Sequence, residues 1–442
     1  MSAKRVTTRE GDWLTVDEGP VDPATERRLR ERCRSIGGRL KSDLGLRQNP
    51  LSVDVVDGTA RLRVSGAVGT LNLSPQLEIQ VEPKFAKPAT VGTWQESVLT
   101  IIERNRRRHY TFARSRRLAL RPAYFLDHMA LAYADGLREA VRRDPIRVYR
   151  IREETAPFLR GQFAVERQLN SLLSRPDRIH CNVDYLDTDN SFNHLLHWAG
   201  RRFTTAARDA GVRRVVASAT MLLPAVSELP RIPDQLPLRA PAQYEHFSEV
   251  LEIASTLARG LTHSGALGRT SGYGYLVNME RLYERFIEAS LVFALPLLGH
   301  GHSVKNQETK RYAAAMTAGV RSYHTRPDNV IYKDGKPLVL IDAKYKRLED
   351  ADEMSLRRPN NGDIYQLFAS MTAHKTNRGL LVYPALGLGS VADKMQLWKV
   401  SAGADAHIGA VTVDISNLTS RSALGEFDRR LAQVVLNFLA AT

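Results

Sequence analysis

The chain has 442 residues, of which 43% are hydrophobic and 25% are charged, and its formal net charge is +15. This length provides for two or three domains with sizeable cores, and the composition is that of a globular protein, not of a disordered or fibrous one. The positive charge favours a polyanionic partner, with nucleic acid ahead of an anionic membrane.

Several features exclude whole classes of protein. The two cysteines, Cys33 and Cys181, have no metal-site spacing and form no disulfide framework. The first residues lack the apolar segment of a signal peptide, and the longest apolar run, residues 289–298, is too short to span a bilayer. The G-x-x-x-x-G-K-[ST] phosphate-binding loop does not occur in the sequence. We therefore expect a cytoplasmic protein with no membrane partner and no nucleotide-hydrolysis site of its own.

The first predicted elements are a basic helix over residues 22–46 and a small antiparallel β-module over residues 51–84. In the β-module the apolar residues recur with a period of two, and turn signals such as Asp57-Gly58 and Ser74-Pro75 separate the strands. Residues 94–108 are predicted to form an amphipathic helix. The sequence thus changes from helix to sheet and back to helix within its first quarter.

The most basic stretch of the chain begins near the end of the helix predicted over residues 94–108. Residues 104–121 contain eight arginines and no acid, interleaved with His109, Tyr110 and Phe112. Arginines beside aromatic residues suit phosphate contacts and base stacking, but a solvated loop and a docking surface for an acidic protein are alternatives. The candidate nucleic-acid-binding residues are Arg106, Arg107, Arg108, Arg114, Arg116 and Arg117.

The middle of the chain is predicted to be mainly helical. It contains helices over residues 124–143, 192–210 and 244–261, with strands over residues 146–152 and 179–184. A proline-rich connector covers residues 221–241, and residues 260–274 are rich in glycine and serine. We expect three domains: residues 1–155 with the β-module, a helical middle region over 156–265, and a third domain over 266–442.

The third domain contains a predicted hairpin at residues 326–346. Strands over 328–332 and 337–345 flank an Asp334-Gly335 turn, a strong hairpin signal. Asp342 and Lys344 share one face of the second strand, and pairing brings Asp328 beside them. Two close acids repel unless a cation lies between them, and carboxylate oxygens suit Mg²⁺ or Mn²⁺ better than zinc. A solvated surface hairpin is the alternative interpretation of these residues.

The flanks of the hairpin strengthen the prediction of a site. The apolar residues of 275–295 recur at helical spacing, and Glu284 of this predicted helix is a candidate additional acid for the metal site. The alternative is that Glu284 is a solvent-exposed acid with no role in the site. A helix begins near Asp363, a possible cap, and carries Gln366 one turn later. Strands over 302–306, 378–384 and 408–415 and a helix over 424–439 complete the domain. We therefore predict an α+β fold whose C-terminal core has the element order α-β-β-β-α-β.

This order, together with Pro327-Asp328 and Asp342-Ala343-Lys344, resembles the PD-(D/E)xK nuclease superfamily. Across the chain, the sequence is similar to McrC, the nuclease subunit of McrBC-type modification-dependent restriction systems. The resemblance is carried by Val68-Gly69-Thr70-Leu71 with residues 79–84, by residues 159–163 with 187–196, by residues 278–286, and by the hairpin with Asp363-Ile364-Tyr365-Gln366.

The resemblance implies a Mg²⁺-dependent endonuclease, with Mn²⁺ able to substitute, that cleaves modified double-stranded DNA. It implies a separate McrB-like AAA+ GTPase ring as partner, which the chain docks through its amino-terminal half and stimulates. It also implies metal ligands at Asp328, Asp342 and Glu284, and catalytic roles for these three residues, Lys344 and Gln366. Related RecB-like nucleases carry a tyrosine four residues after the glutamine, where this chain has Ser370.

Two other functions remain open on the sequence alone. The chain could be a non-catalytic activator of a ring NTPase whose nuclease core is structural, although Asp328, Asp342 and Lys344 are all intact. It could also be a stand-alone structure-selective nuclease, a hypothesis that a neighbouring gene for an AAA+ GTPase would argue against.

Overall fold

The computed structural model describes residues 4–15, 22–74, 77–86, 93–106, 125–171, 177–227, 240–262, 275–316, 321–346, 348, 358–386, 395–401 and 405–442. The strands are β1 (Lys4–Arg9), β2 (Trp13–Thr15), β3 (Leu51–Val56), β4 (Thr59–Val64), β5 (Ala67–Ser74), β6 (Leu77–Glu82), β7 (Val148–Ala156), β8 (Gln162–Phe163), β9 (Ile179–Asp187), β10 (Tyr275–Asn278), β11 (His302–Asn306), β12 (Lys310–Ala313), β13 (Tyr323–Thr325), β14 (Asn329–Lys333), β15 (Lys336–Ala343), β16 (Arg378–Pro384), β17 (Met395–Lys399) and β18 (His407–Val413). The helices are α1 (Pro23–Leu44), α2 (Thr93–Arg106), α3 (Phe125–Arg143), α4 (Val165–Ser171), α5 (Ser191–Ala206), α6 (Ala210–Thr220), α7 (Ser248–Thr262), α8 (Met279–Leu298), α9 (Asn361–His374) and α10 (Arg421–Ala441), with a 3₁₀ helix at Ala242–Phe247.

The chain divides into two compact units. The first contains residues 1–111, 123–125 and 263–442, and the second contains residues 112–122 and 126–262. This division cuts across the predicted segments 1–155, 156–265 and 266–442, because the amino-terminal strands and the C-terminal core fall in the same unit. The three-segment division stays a prediction about functional regions.

The first unit begins with two small sheets and one helix. One sheet has the order β1-β6-β5-β10 and the other has the order β2-β4-β3. Asp22 caps α1 by accepting hydrogen bonds from the backbone of Ala24 and Thr25, and Gly45 ends the helix in the left-handed conformation. Cys33 of α1 packs in one apolar core with strand residues such as Leu62. The predicted basic helix is present, whereas the strands predicted to form one antiparallel β-module are divided between the two sheets, and β6 pairs in parallel with β1.

Residues 275–278 differ from the prediction. The sequence pattern predicts a helix over 275–295, whereas these four residues form β10, which pairs antiparallel with β5. The helix α8 starts only at Met279, because the Asn278 side chain accepts a hydrogen bond from the backbone N–H of Arg281 and caps it. The last strand of the amino-terminal sheet thus leads directly into the first helix of the C-terminal core.

The C-terminal core is a six-stranded mixed sheet with the order β11-β14-β15-β16-β18-β17. The strands β11, β14 and β15 are antiparallel to one another, and β15, β16 and β18 are parallel. Together with α8 and α9 they give the predicted order α-β-β-β-α-β, and the α+β fold class is confirmed. The helix α9 packs its Leu367 and Met371 with Val330, Leu340 and Leu381 on one face of this sheet.

The hairpin between β14 and β15 forms as its turn residues predict. Asp334 and Gly335 both have positive φ, 49° and 77°, as expected of a two-residue turn that matches the twist of the strands. The register pairs Asn329 with Ile341, so Asp328 lies beside Asp342 at the other end of the hairpin. The turn sets the register at Lys333 and Lys336, and a β-bulge between Ile331 and Tyr332 then shifts it by one residue, so that Asp328 comes opposite Asp342 instead of Ile341.

The second unit is mainly helical, as the sequence predicts for the middle of the chain. Its helices α3, α5, α6 and α7 enclose a core that includes Tyr133, Phe203 and Phe247. A separate three-stranded antiparallel sheet has the order β7-β9-β8. Most of the predicted connector, residues 228–239, lies outside the described residues.

Candidate active site

The two predicted aspartates meet where β14 begins and β15 ends. The Asp328 carboxylate accepts a hydrogen bond from the backbone N–H of Ala343 at 2.8 Å, and the Asp328 N–H points to the Asp342 carboxylate at 3.4 Å. Asp342 is buried, with 3% of its surface exposed. These reciprocal contacts hold two carboxylates side by side at the edge of an apolar sheet.

Lys344 is the cation of this cluster. Its Nζ lies 2.6 Å from Asp342 Oδ2 and donates a hydrogen bond to Gln366 Oε1 at 3.3 Å. Its backbone N–H donates to the carbonyl of Val382 in β16 at 2.9 Å, which fixes the chain just after β15. Burial lowers the pKa of Lys344, but the Asp342 charge and hydrogen bond outweigh this effect and raise the pKa. The lysine is therefore held charged and in place.

Glu284 is the third acid, and it comes from α8. Its side chain is half-buried, and burial together with the charge of Glu280 raises its pKa, while the nearby Lys344 lowers it. Glu288, one turn later, instead accepts a hydrogen bond from Asn306 Nδ2 at 2.6 Å and so ties α8 to β11. The structure thus joins Asp328, Asp342, Lys344 and Gln366 through direct contacts, and Glu284 interacts with this cluster electrostatically.

The charges of this cluster are not balanced. Burial raises the pKa of Asp328 to about 8, and the neighbouring charges of Asp342 and Glu284 act in the same direction. Within the described part of the chain, no three or more His, Cys, Asp or Glu side chains are already spaced to hold a metal ion. Instead, Lys344 engages one oxygen of Asp342, and the Ala343 N–H engages one oxygen of Asp328.

A second layer of polar contacts lies behind the site on the α9 side. Asn360, not the predicted Asp363, caps α9 by accepting a hydrogen bond from the N–H of Gly362. Asp363 instead accepts hydrogen bonds from Lys346 Nζ at 2.9 Å and from Tyr383 Oη at 2.8 Å. The sequence signal for this contact was the acid in the first turn of α9, which the sequence analysis interpreted only as a cap.

A buried cluster on the amino-terminal side supports the residue after Lys344. Tyr345 Oη donates a hydrogen bond to Glu10 at 3.1 Å, and Glu10 also accepts from the N–H of Gly66 and lies 3.5 Å from Lys84 Nζ. The Tyr345 ring packs against Tyr283, the neighbour of Glu284, with 5.9 Å between ring centroids. No local sequence pattern indicates this contact, because 335 residues separate Glu10 from Tyr345.

Most of the predicted arginine-rich contact stretch, residues 107–121, lies outside the described residues. Arg106 is the last residue of α2, and Arg107, Arg108, Arg114, Arg116 and Arg117 lie outside the described residues.

In the parts of the chain that the structure describes, every helix is too short or too polar to cross a bilayer.

The sheet order and the polar cluster define an α+β protein whose C-terminal core has the element order α-β-β-β-α-β and carries an acidic site where β14 begins and β15 ends. The model of the family described as McrBC 5-methylcytosine restriction system component matches residues 62–384. Because this match covers more than half of the sequence, the chain belongs to that family, and the resemblance inferred from the sequence is confirmed.

A solved structure agrees with this assignment at the level of the fold. A chain in the refined half-complex from a tetradecameric assembly of Thermococcus gammatolerans McrB AAA+ hexamers with bound McrC has a TM-score of 0.65 and 18% identity to this chain. The match covers 98% of this chain and 100% of the other. A cryo-EM structure of the Thermococcus gammatolerans McrBC complex has a TM-score of 0.46 and 19% identity, over 66% of this chain and 88% of the other. No curated protein matches the sequence.

Proposed function

We propose that the chain is the metal-dependent endodeoxyribonuclease subunit of a McrBC-like restriction system and acts in the cytoplasm. It cleaves modified double-stranded DNA when it is assembled with an AAA+ GTPase ring, whose hydrolysis it stimulates. The observation that carries the proposal is the convergence of Asp328, Asp342, Lys344 and Glu284 at one edge of the core sheet. Family membership and the McrB AAA+ hexamers in the similar structure support the assignment of the partner.

The donor set fits a hard divalent cation. Three carboxylates, from Asp328, Asp342 and Glu284, interact electrostatically with the single ammonium of Lys344, and the charges of Asp342 and Glu284 add to the effect of burial in raising the pKa of Asp328. Carboxylate oxygens are the ligands that Mg²⁺ and Mn²⁺ prefer. When bound, such an ion lowers the pKa of a water molecule and stabilises charge on the transferring phosphoryl group.

The protein groups have separate tasks in the proposed reaction. Asp328 and Asp342 would hold the ion, and Glu284 would add a carboxylate from α8. The Lys344 ammonium, fixed by Asp342 and Gln366, orients the attacking water and offsets negative charge on the phosphate oxygens. Lys344 Nζ contacts both Asp342 of β15 and Gln366 of α9. These two elements together therefore fix the position of its ammonium group.

The test is the Asp342→Asn variant compared with Asp334→Asn. Both change one aspartate of the same hairpin, but Asp334 lies in the turn, where asparagine tolerates the positive φ. We expect Asp342→Asn to lower Mg²⁺-dependent cleavage of modified DNA by at least about 100-fold. Partner binding and stimulation of GTP hydrolysis should stay at wild-type levels, and Asp334→Asn should cleave normally.

Two outcomes would contradict the proposal. Cleavage that survives in Asp342→Asn would show that the acidic cluster is not the catalytic site. A wild-type chain that stimulates GTP hydrolysis but never cleaves DNA, with any divalent ion, would favour the non-catalytic activator.

A further inference from the structure

The C-terminal core carries an insertion that the proposed catalytic residues do not use. Between β11 and β14 the chain forms a two-stranded antiparallel hairpin of β12 and β13. We name residues 309–316 and 321–326 the arm. The arm runs directly into Pro327-Asp328, so its second strand ends three residues before the first aspartate of the site.

The large apolar side chains of the arm are exposed to solvent. Tyr312 is 52% exposed, Tyr323 is 73% exposed, and Met316 is fully exposed. An isolated two-stranded hairpin is only marginally stable in water, and exposed aromatic residues add nothing to its folding. Large side chains that are held out in this way indicate that the arm meets a partner.

The charge of the arm points to the chemistry of that partner. Residues 309–327 contain Lys310, Arg311, Arg321 and Arg326, with His324 among them, and contain no Asp or Glu. Within the described residues, Arg311 and Arg321 are exposed and have no ion pair with an acid. A surface of arginines and tyrosines without acids is complementary to a phosphate backbone.

The root of the arm is anchored beside the proposed active site. Thr325 is hydrogen-bonded to Ser370 of α9, and Gln366, which contacts Lys344, lies one turn earlier on the same helix. The seven residues from Lys310 to Met316 span at most about 20 Å in extended conformation, which corresponds to about six base pairs of duplex. A duplex seated with its phosphodiester at Asp328 and Asp342 therefore passes within reach of the arm.

We propose that the arm is a DNA-contact element that binds the phosphate backbone to one side of the scissile bond, through Arg311 and Arg321 with the neighbouring tyrosines. This inference rests on the proposed function, because it takes DNA as the substrate of the adjacent site. The sequence analysis assigned nucleic-acid contacts only to the stretch 104–121, so the arm is a second and separate contact.

The test measures DNA binding by the full chain without turnover. Fluorescence anisotropy with a 30-base-pair duplex, in EDTA and at several salt concentrations, compares the wild type with the double variant Arg311→Ala/Arg321→Ala. The matched control is Arg421→Ala/Arg429→Ala, which removes two exposed arginines from α10. We expect the arm variant to bind about tenfold more weakly or worse at 0.1 M salt, and its plot of log K against log salt to become shallower by about 2.

Equal affinity and salt dependence of the arm variant and the wild type would overturn the inference. So would the absence of measurable duplex binding by the wild type, and so would an arm variant that binds DNA normally but loses the AAA+ partner. If Asp342→Asn abolishes cleavage while the arm variant binds as the wild type does, the proposed function stands and the arm inference fails. If Asp342→Asn still cleaves while the arm variant loses binding, the proposed function fails instead.

Discussion

The raised pKa of Asp328 makes a quantitative prediction for the metal-free protein. The pKa of this carboxyl is raised from its ordinary value near 3.8 to about 8, by burial first and then by Asp342 and Glu284. Between these two values the folded state keeps a proton that the unfolded state has lost. The folded state therefore binds more protons, and the free energy of unfolding must fall as pH rises.

The size of the effect follows from the linkage relation. One proton contributes at most about 1.4 kcal/mol per pH unit, so from about pH 5 to about pH 7 the metal-free wild type loses up to about 2.7 kcal/mol through this group. Asp328→Asn keeps a similar shape and can still accept a hydrogen bond from Ala343, but it has no proton to lose. The variant lacks this slope, and it is more stable relative to the wild type at pH 7 than at pH 5.

The assay is urea unfolding of both proteins in EDTA at several pH values, repeated with Mg²⁺. Mg²⁺ favours the ionised carboxylate, so it should flatten the slope of the wild type and leave Asp328→Asn almost unchanged. Parallel stability curves for the two proteins in EDTA would refute the assignment of the raised pKa to Asp328. A wild-type slope that Mg²⁺ does not alter would refute the role of Asp328 as a metal ligand.

Two further predictions concern buried contacts of the same unit. Tyr345→Phe removes a hydrogen bond to the buried Glu10, so we expect a loss of about 2 kcal/mol in urea unfolding and a slower cleavage step, because Tyr345 adjoins Lys344. Asp428→Ala removes the carboxylate that lies 2.5 Å from the buried Arg104, and we expect it to lower the free energy of unfolding by about 3 kcal/mol. A loss below about 1 kcal/mol for Asp428→Ala would contradict the second prediction.

The control for Tyr345→Phe is Tyr332→Phe. Tyr332 also donates its hydroxyl to a carboxylate, that of Glu308, but at the far end of the hairpin from the site. Both variants should lose stability, and only Tyr345→Phe should lower kcat. Equal kcat for the two variants would show that the contact with Glu10 stabilises the fold without positioning Lys344.

The hairpin that carries the site was predictable because its information is local. An Asp-Gly turn and two apolar strands predict the hairpin, and the alternation of side chains places Asp342 and Lys344 on one face. The β-bulge between Ile331 and Tyr332, which brings Asp328 opposite Asp342, has no such signal in the sequence. The order of elements around it followed from patterns within single segments. The structure shows the same order and brings Glu284 and Gln366 to the same edge.

The features that the sequence did not predict correctly depend on contacts between distant parts of the chain. Residues 275–278 continue the helical spacing of α8, and only their pairing with β5, more than 200 residues earlier, makes them a strand. Asp363 looks like a cap because it lies in a first helical turn, but Lys346 and Tyr383 engage its carboxylate. Nothing near Glu10 in the sequence indicates that it lies beneath the site.

The sheet β1-β6-β5-β10 has a consequence for biosynthesis. Its first strand is Lys4–Arg9 and its last is Tyr275–Asn278, so the amino-terminal module stays one strand short until most of the protein has left the ribosome. About 200 residues separate the end of β6 from the end of β10, so at typical translation rates of about 5–20 residues per second that wait is roughly 10 to 40 s. During this interval one side of β5 is an open edge that other nascent chains can pair with. Slower elongation after residue 82 should therefore increase aggregation, whereas slower elongation after residue 278 should not.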